Sequence, residues 1–65
     1  MSGYVVQFDC AEAVLTEGLT REECMEMRDD FDCAPREVID ASEVEITDAW
    51  DKNGWLRVNY RRAAP

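Results

Sequence analysis

The segment T20-R-E-E-C-M-E-M-R-D-D-F-D32 decides how this 65-residue chain reads as a fold. Thr20 and Glu23 form a T-x-x-E capping box, the pattern that closes a helix N-terminus by reciprocal side-chain to backbone hydrogen bonds. Leu19 and Cys24 stand where a hydrophobic staple would join the entering chain to the first turn. Beyond the cap, Cys24, Met27 and Phe31 recur at spacings of three and four, one apolar stripe of an amphipathic helix. At about 100° per residue, Glu22, Glu23, Glu26, Asp29 and Asp30 fall opposite that stripe. The segment therefore predicts a main helix with an acidic outer face.

The flanks predict the sheet that the helix would cover. Tyr4 to Cys10 alternates, with Tyr4, Val6, Phe8 and Cys10 on one face, as in a half-buried strand. Val14-Leu15-Thr16 suggests a brief second strand ahead of the punctuating Gly18. Pro35 to Asp40 reads as a single helical turn or an extended connection, because Pro favours a first helical position. Val44, Ile46 and Trp50 alternate on one strand, and Leu56, Val58 and Tyr60 on the next. A three-residue loop ending in a left-handed Gly54 would align these apolar faces. It sets Trp50 against Leu56, Ile46 against Tyr60 and Glu45 against Arg61, and turns Trp55, Arg57, Asn59 and Arg61 away from the core.

The expected architecture is thus a single α+β domain over residues 1–65. A small antiparallel sheet of three or four strands would carry one main amphipathic helix on one face. Its expected core is Tyr4, Val6, Phe8, Cys24, Met27, Phe31, Ile46, Trp50, Leu56, Val58 and Tyr60. Sixty-five residues bury only about 60% of the unfolded chain's surface, too little to wall a deep catalytic cleft.

Charge carries the functional signal. The net charge is -8, and all fifteen acids lie between Asp9 and Asp51, opposed there by Arg21, Arg28 and Arg36 alone. Lys52, Arg57, Arg61 and Arg62 form a basic tail without acids. An acidic body repels nucleic acid and membranes and attracts cationic protein surfaces. On a helix, Glu22/Glu26, Glu26/Asp29 and Glu26/Asp30 repel as neighbours. Asp29 and Asp30 near its C-terminus would also oppose the macrodipole. Such placement suggests selection for binding as well as solubility.

Catalytic chemistry finds no support in the residue inventory. There is no histidine, so the usual neutral-pH general base is missing. Three cysteines, Cys10, Cys24 and Cys33, lack zinc-ligand number and spacing and are expected reduced. Counting from Asp51 puts Trp55 and Arg62 where a calcium loop needs oxygen ligands. We therefore expect no enzyme activity, no metal and no cofactor. No apolar run approaches the length of a membrane span. The N-terminus has no basic region before its apolar residues, and cytoplasmic residence is the expectation.

Two contact surfaces follow: Glu22, Glu23, Glu26, Asp29 and Asp30 on the helix, and Trp55 with Arg57 on the hairpin, Trp and Arg being frequent interface anchors. An exposed edge strand could also pair with a second copy as a homodimer. The passage V14-L-T-E-G-L-T-R-E-E-C-M-E-M-R-D-D-F31 resembles a strand–GLT-x-E-E–helix pattern of short bacteriophage proteins. In size, acidity and lack of catalytic residues the chain is similar to phage anti-defence proteins, including anti-CRISPRs. That resemblance implies a non-catalytic inhibitor in the host cytosol. It would block the basic, nucleic-acid-binding surface of a host defence complex. The alternatives are an adaptor subunit with a merely solubilising acidic face, or an oligomeric nucleotide sponge built on Arg57, Arg61 and Arg62.

Overall fold

The computed structural model describes residues 3–27 and 33–63. It corrects the α+β expectation: among the described residues the chain is mostly β, five antiparallel strands with one short helix and no main amphipathic helix. The elements are β1 (Gly3–Phe8), β2 (Ala13–Glu17), α1 (Arg21–Met25), β3 (Pro35–Asp40), β4 (Val44–Lys52) and β5 (Trp55–Arg62). Their order across the sheet is β3-β1-β2-β5-β4.

The predicted start of the helix is present and its predicted length is not. Thr20 Oγ1 accepts from the Glu23 amide at 3.1 Å, and Glu23 Oε1 accepts from the Thr20 amide at 2.8 Å. After one turn the bonding tightens, Glu26 donating to the Glu23 carbonyl and Met27 to that of Cys24. These are three-residue steps that close a helix. The helix thus ends at Met25, ahead of Asp29 and Asp30. The apparent conflict with the macrodipole disappears with it, since Glu22 and Glu23 occupy the first turn, where anions are favoured. Asp29, Asp30 and the expected core residue Phe31 lie outside the described residues.

Pro35 to Asp40, expected as a turn or connection, is the edge strand β3. Proline is compatible with the first residue of an edge strand, where its missing N–H breaks no ladder. Val38 and Ile39 both become core.

The two hairpins use different loops, and the second departs from the sequence expectation. Between β1 and β2, Ala11 donates to the Phe8 carbonyl at 3.2 Å and Phe8 to that of Glu12 at 2.8 Å. Ala11 sits at φ 70°. This is a three-residue loop of the bulged kind, with alanine at its left-handed position. Between β4 and β5, Asn53 and Gly54 have φ 56° and 83°, the paired left-handed residues of a two-residue type I′ turn. The expected three-residue loop is therefore absent here, and Trp50 pairs with Arg57 and Asp51 with Leu56. One extra residue, Thr47, then shifts the register between Ile46 and Asp48. Beyond that bulge, Ile46 pairs with Tyr60 and Glu45 with Arg61, as the sequence suggested.

The edge strands β3 and β4 are joined by a 3-10 turn of three residues, Ala41–Glu43. Four gaps of about 4.8 Å would separate the edges of a flat five-stranded sheet by about 19 Å. A 3-10 turn rising about 2 Å per residue bridges only about 8 Å. The sheet must therefore roll, and its two faces bury different clusters. The face under α1 holds Val6, Phe8, Val14, Cys24, Met27 and Val38, with Tyr4, Leu19 and Trp55 against them. The opposite face holds Val5, Ala13 and Val58, with Leu15, Val44, Leu56 and Tyr60. Burial on both faces explains why Val5 and Val6 are both fully inaccessible. Ile46 and Trp50, expected in the core, are exposed at 36% and 45%.

Candidate interaction surfaces

The predicted contact residues separate into two groups. Glu22, Glu23 and Glu26 are exposed on and just after α1. Glu23 is committed to the capping box, which leaves Glu22 and Glu26 facing solvent without an ion pair among the described residues. The helix is held to the sheet by Cys24, whose Sγ lies 3.5 Å from Thr16 Oγ1. Arg21 adds to this, donating to the Val38 carbonyl at 2.8 Å with its guanidinium 5.3 Å from the Tyr4 ring centroid.

Trp55 and Arg57 do not face away from the core as expected. The ladder sets Val14 against Arg57, which puts the residues at 55 and 57 on the α1 side of the sheet. Arg57 is buried, and its Nη1 lies 2.8 Å from Glu12 Oε1. Trp55 is half-buried against the α1-side core. The inversion follows from the β2–β5 register, which sets Arg57 against Val14, while the two-residue turn brings Trp50 of β4 opposite Arg57.

The remaining arginines of the basic tail are likewise paired within the fold. Arg61 Nε meets Glu45 Oε1 at 2.8 Å across the hairpin, and Arg62 pairs with Glu37 of β3. Pairing a β5 residue with β3 across the strands between them is a consequence of the rolled sheet. Glu17, Glu22, Glu26, Glu43, Asp48 and Asp51 remain exposed without an ion pair among the described residues.

Two features were not foreseen. Cys10 and Cys33 form a disulfide between Cα atoms 5.9 Å apart, which corrects the expectation of three reduced thiols. Cys24 is the buried free cysteine. The odd count concealed the pair, because spacing alone cannot say which residues the fold brings together. The second feature is a cleft. The β2–β5 ladder contains Val14↔Arg57 and Leu15↔Leu56 and goes no further. Where Thr16 and Glu17 part from Trp55 and Gly54, an open cavity of about 420 Å³ appears. Leu15, Leu19, Trp55 and Leu56 provide its apolar walls, and Glu17 and Asp51 its carboxylates.

Among the described residues no cluster of histidine, cysteine or carboxylate side chains has the makings of a metal site, and no helix is long and apolar enough to cross a membrane. Asp40 has a perturbed carboxyl group. The Ser42 amide first and the Ser42 hydroxyl second donate to it, at 2.9 and 2.8 Å, and hold its pKa below the usual 3.8. These bonds cap the 3-10 turn between the edge strands.

The fold and its surfaces define a small, acidic, mostly-β domain with a rolled five-stranded sheet. Comparison with protein-family models, with curated proteins and with solved structures gave no match.

Proposed function

We propose that the chain is a non-catalytic binding protein that places carboxylates on a basic protein surface and so competes with nucleic acid for it. The observation that carries this reading is the pairing of the hairpin arginines with Glu12, Glu45 and Glu37. With those charges cancelled locally, Glu22, Glu26 and the other exposed acids set the outward field. Such a field speeds approach to a cationic partner. Phosphate-binding Lys and Arg sites supply most of a nucleic-acid-binding protein's non-specific affinity, so occupying them inhibits strongly. The resemblance to phage anti-defence proteins, anti-CRISPRs among them, supplies the setting: a host defence complex in the cytosol.

The test is affinity capture from bacterial lysate at low and high salt, with the wild-type chain and a Glu22→Lys/Glu26→Lys variant. Capture of a nucleic-acid-binding complex that both salt and charge reversal weaken supports the reading. Capture indifferent to both contradicts it.

A specific observation favours a second reading, an adaptor subunit. β4 is a nine-residue edge strand, exposed along nearly all its length, with Ile46 and Trp50 on its surface. Such an edge can accept a strand from another chain. An adaptor docking this way would keep its partner after charge reversal and lose it when proline replaces Ala49. The nucleotide-sponge alternative draws no support from Arg57, Arg61 and Arg62, each of which already meets a carboxylate.

A further inference from the structure

The cleft between the parting ends of β2 and β5 has a chemistry more selective than a general acidic surface. We propose that it receives an arginine side chain from a protein partner; this rests on the reading of that partner as basic.

Its volume of about 420 Å³ lies within the range of about 300–1,000 Å³ typical of ligand pockets. Leu15, Leu19 and Leu56 suit the apolar stem of a long cationic side chain, which packs along such surfaces while its head stays polar. Trp55, also in the wall, belongs to the aromatic type that attracts cations best. Glu17 and Asp51 are exposed and make no ion pair or side-chain hydrogen bond with another described residue. A guanidinium presents a planar fork of donors matched to carboxylates and stacks on aromatic rings, which an ammonium does less well.

Other occupants fit poorly. An anion would meet two carboxylates. A neutral apolar group would bring those carboxylates toward an apolar contact without a partner, an unfavourable desolvation. A second copy carries its own net charge of -8 and is repelled. Lys52 stands opposite Trp55 in the ladder yet outside the lining, so it competes weakly for the same carboxylates.

The experiment uses a Trp50→Phe chain, in which Trp55 is the remaining tryptophan. It is titrated with acetyl-Gly-Arg-Gly-amide and, separately, with the same peptide carrying norleucine. The arginine peptide should change Trp55 emission saturably, the norleucine peptide should not, and Glu17→Gln/Asp51→Asn should weaken binding about tenfold. Lys52→Gln should strengthen it. No saturable response, an equal response to norleucine, or unchanged binding by the Gln/Asn variant would overturn the proposal. Salt-sensitive capture through Glu22 and Glu26 without peptide binding would sink the arginine site and leave the proposed function standing. The reverse pattern would separate the two in the opposite sense.

Discussion

Arg57 Nη1 lies 2.8 Å from Glu12 Oε1, and the arginine side chain is only 6% exposed while the glutamate is 40% exposed. The pair joins the first hairpin loop to the strand that carries Trp55. Removing the carboxylate takes an ion-pair partner from a buried charge, which costs more than losing a surface pair. Because water still reaches Glu12, Glu12→Gln should destabilise the fold by about 3 kcal/mol, the low end for such losses. Glu45→Gln, which frees the exposed Arg61, should cost less than about 1 kcal/mol. Urea denaturation of the two variants checks the contrast.

Gly3 and Ala11 predict opposite responses to a methyl group. A Cβ on Gly3 would lie 2.1 Å from the Thr16 carbonyl oxygen, a backbone atom that cannot turn aside. Gly3→Ala should therefore cost about 1–3 kcal/mol, in the range of overpacked positions. Ala11 holds a left-handed φ of 70°, a conformation that costs an L-residue about 1–2 kcal/mol. Ala11→Gly should relieve this and, after glycine's greater unfolded-state entropy, gain about 0.5–1 kcal/mol. Thermal melts of both variants check the signs.

The Cys10–Cys33 disulfide closes a sequence separation of 23 residues. Constraining the unfolded chain over that length contributes about 3 kcal/mol. The reducing cytosol works against such bonds, so a protein acting there has to fold without it. A Cys10→Ser/Cys33→Ser variant should remain folded, with both core clusters intact and a lower denaturation midpoint. Circular dichroism and denaturation of that variant, compared with the wild type under reducing and oxidising conditions, check this.

Asp40 gives the fold an acid-sensitive joint. Its folded-state pKa lies below 3.8 because Ser42 donates twice to the carboxylate. A depressed acid contributes stability that is present above its unfolded pKa and is lost as pH falls through the folded value. Wild type and Ser42→Ala should therefore differ at neutral pH and converge well below pH 3.8. Denaturation midpoints across that range check the convergence.

Legibility in the sequence followed how local each determinant was. The Thr20/Glu23 box, the alternating strand from Tyr4 and the Ile46–Tyr60 and Glu45–Arg61 pairs all rest on neighbouring residues or one cross-strand match. The helix length was misread because Cys24 and Met27 are buried as the stripe requires, whereas tight bonding after one turn ends the helix. The side of β5 that carries Trp55 and Arg57 is set by the Val14↔Arg57 pairing with β2, which no local pattern announces. The fold uses an Asn53-Gly54 turn and corrects the register later with a bulge at Thr47. The Arg57–Glu12 pair that makes the inversion tolerable spans 45 positions, and nothing local announces it. The β2–β5 cleft is equally silent, because it exists only where two strands distant in sequence stop pairing.

The proposed function is competition between this acidic surface and nucleic acid for one basic partner. Its most direct measurement is the nucleic-acid affinity of the captured complex, titrated with the wild-type chain and with Glu22→Lys/Glu26→Lys. The wild-type chain should displace nucleic acid stoichiometrically, added salt should weaken the displacement, and the reversed variant should fail to displace it. Nucleic acid retained by a complex already saturated with the wild-type chain would contradict it.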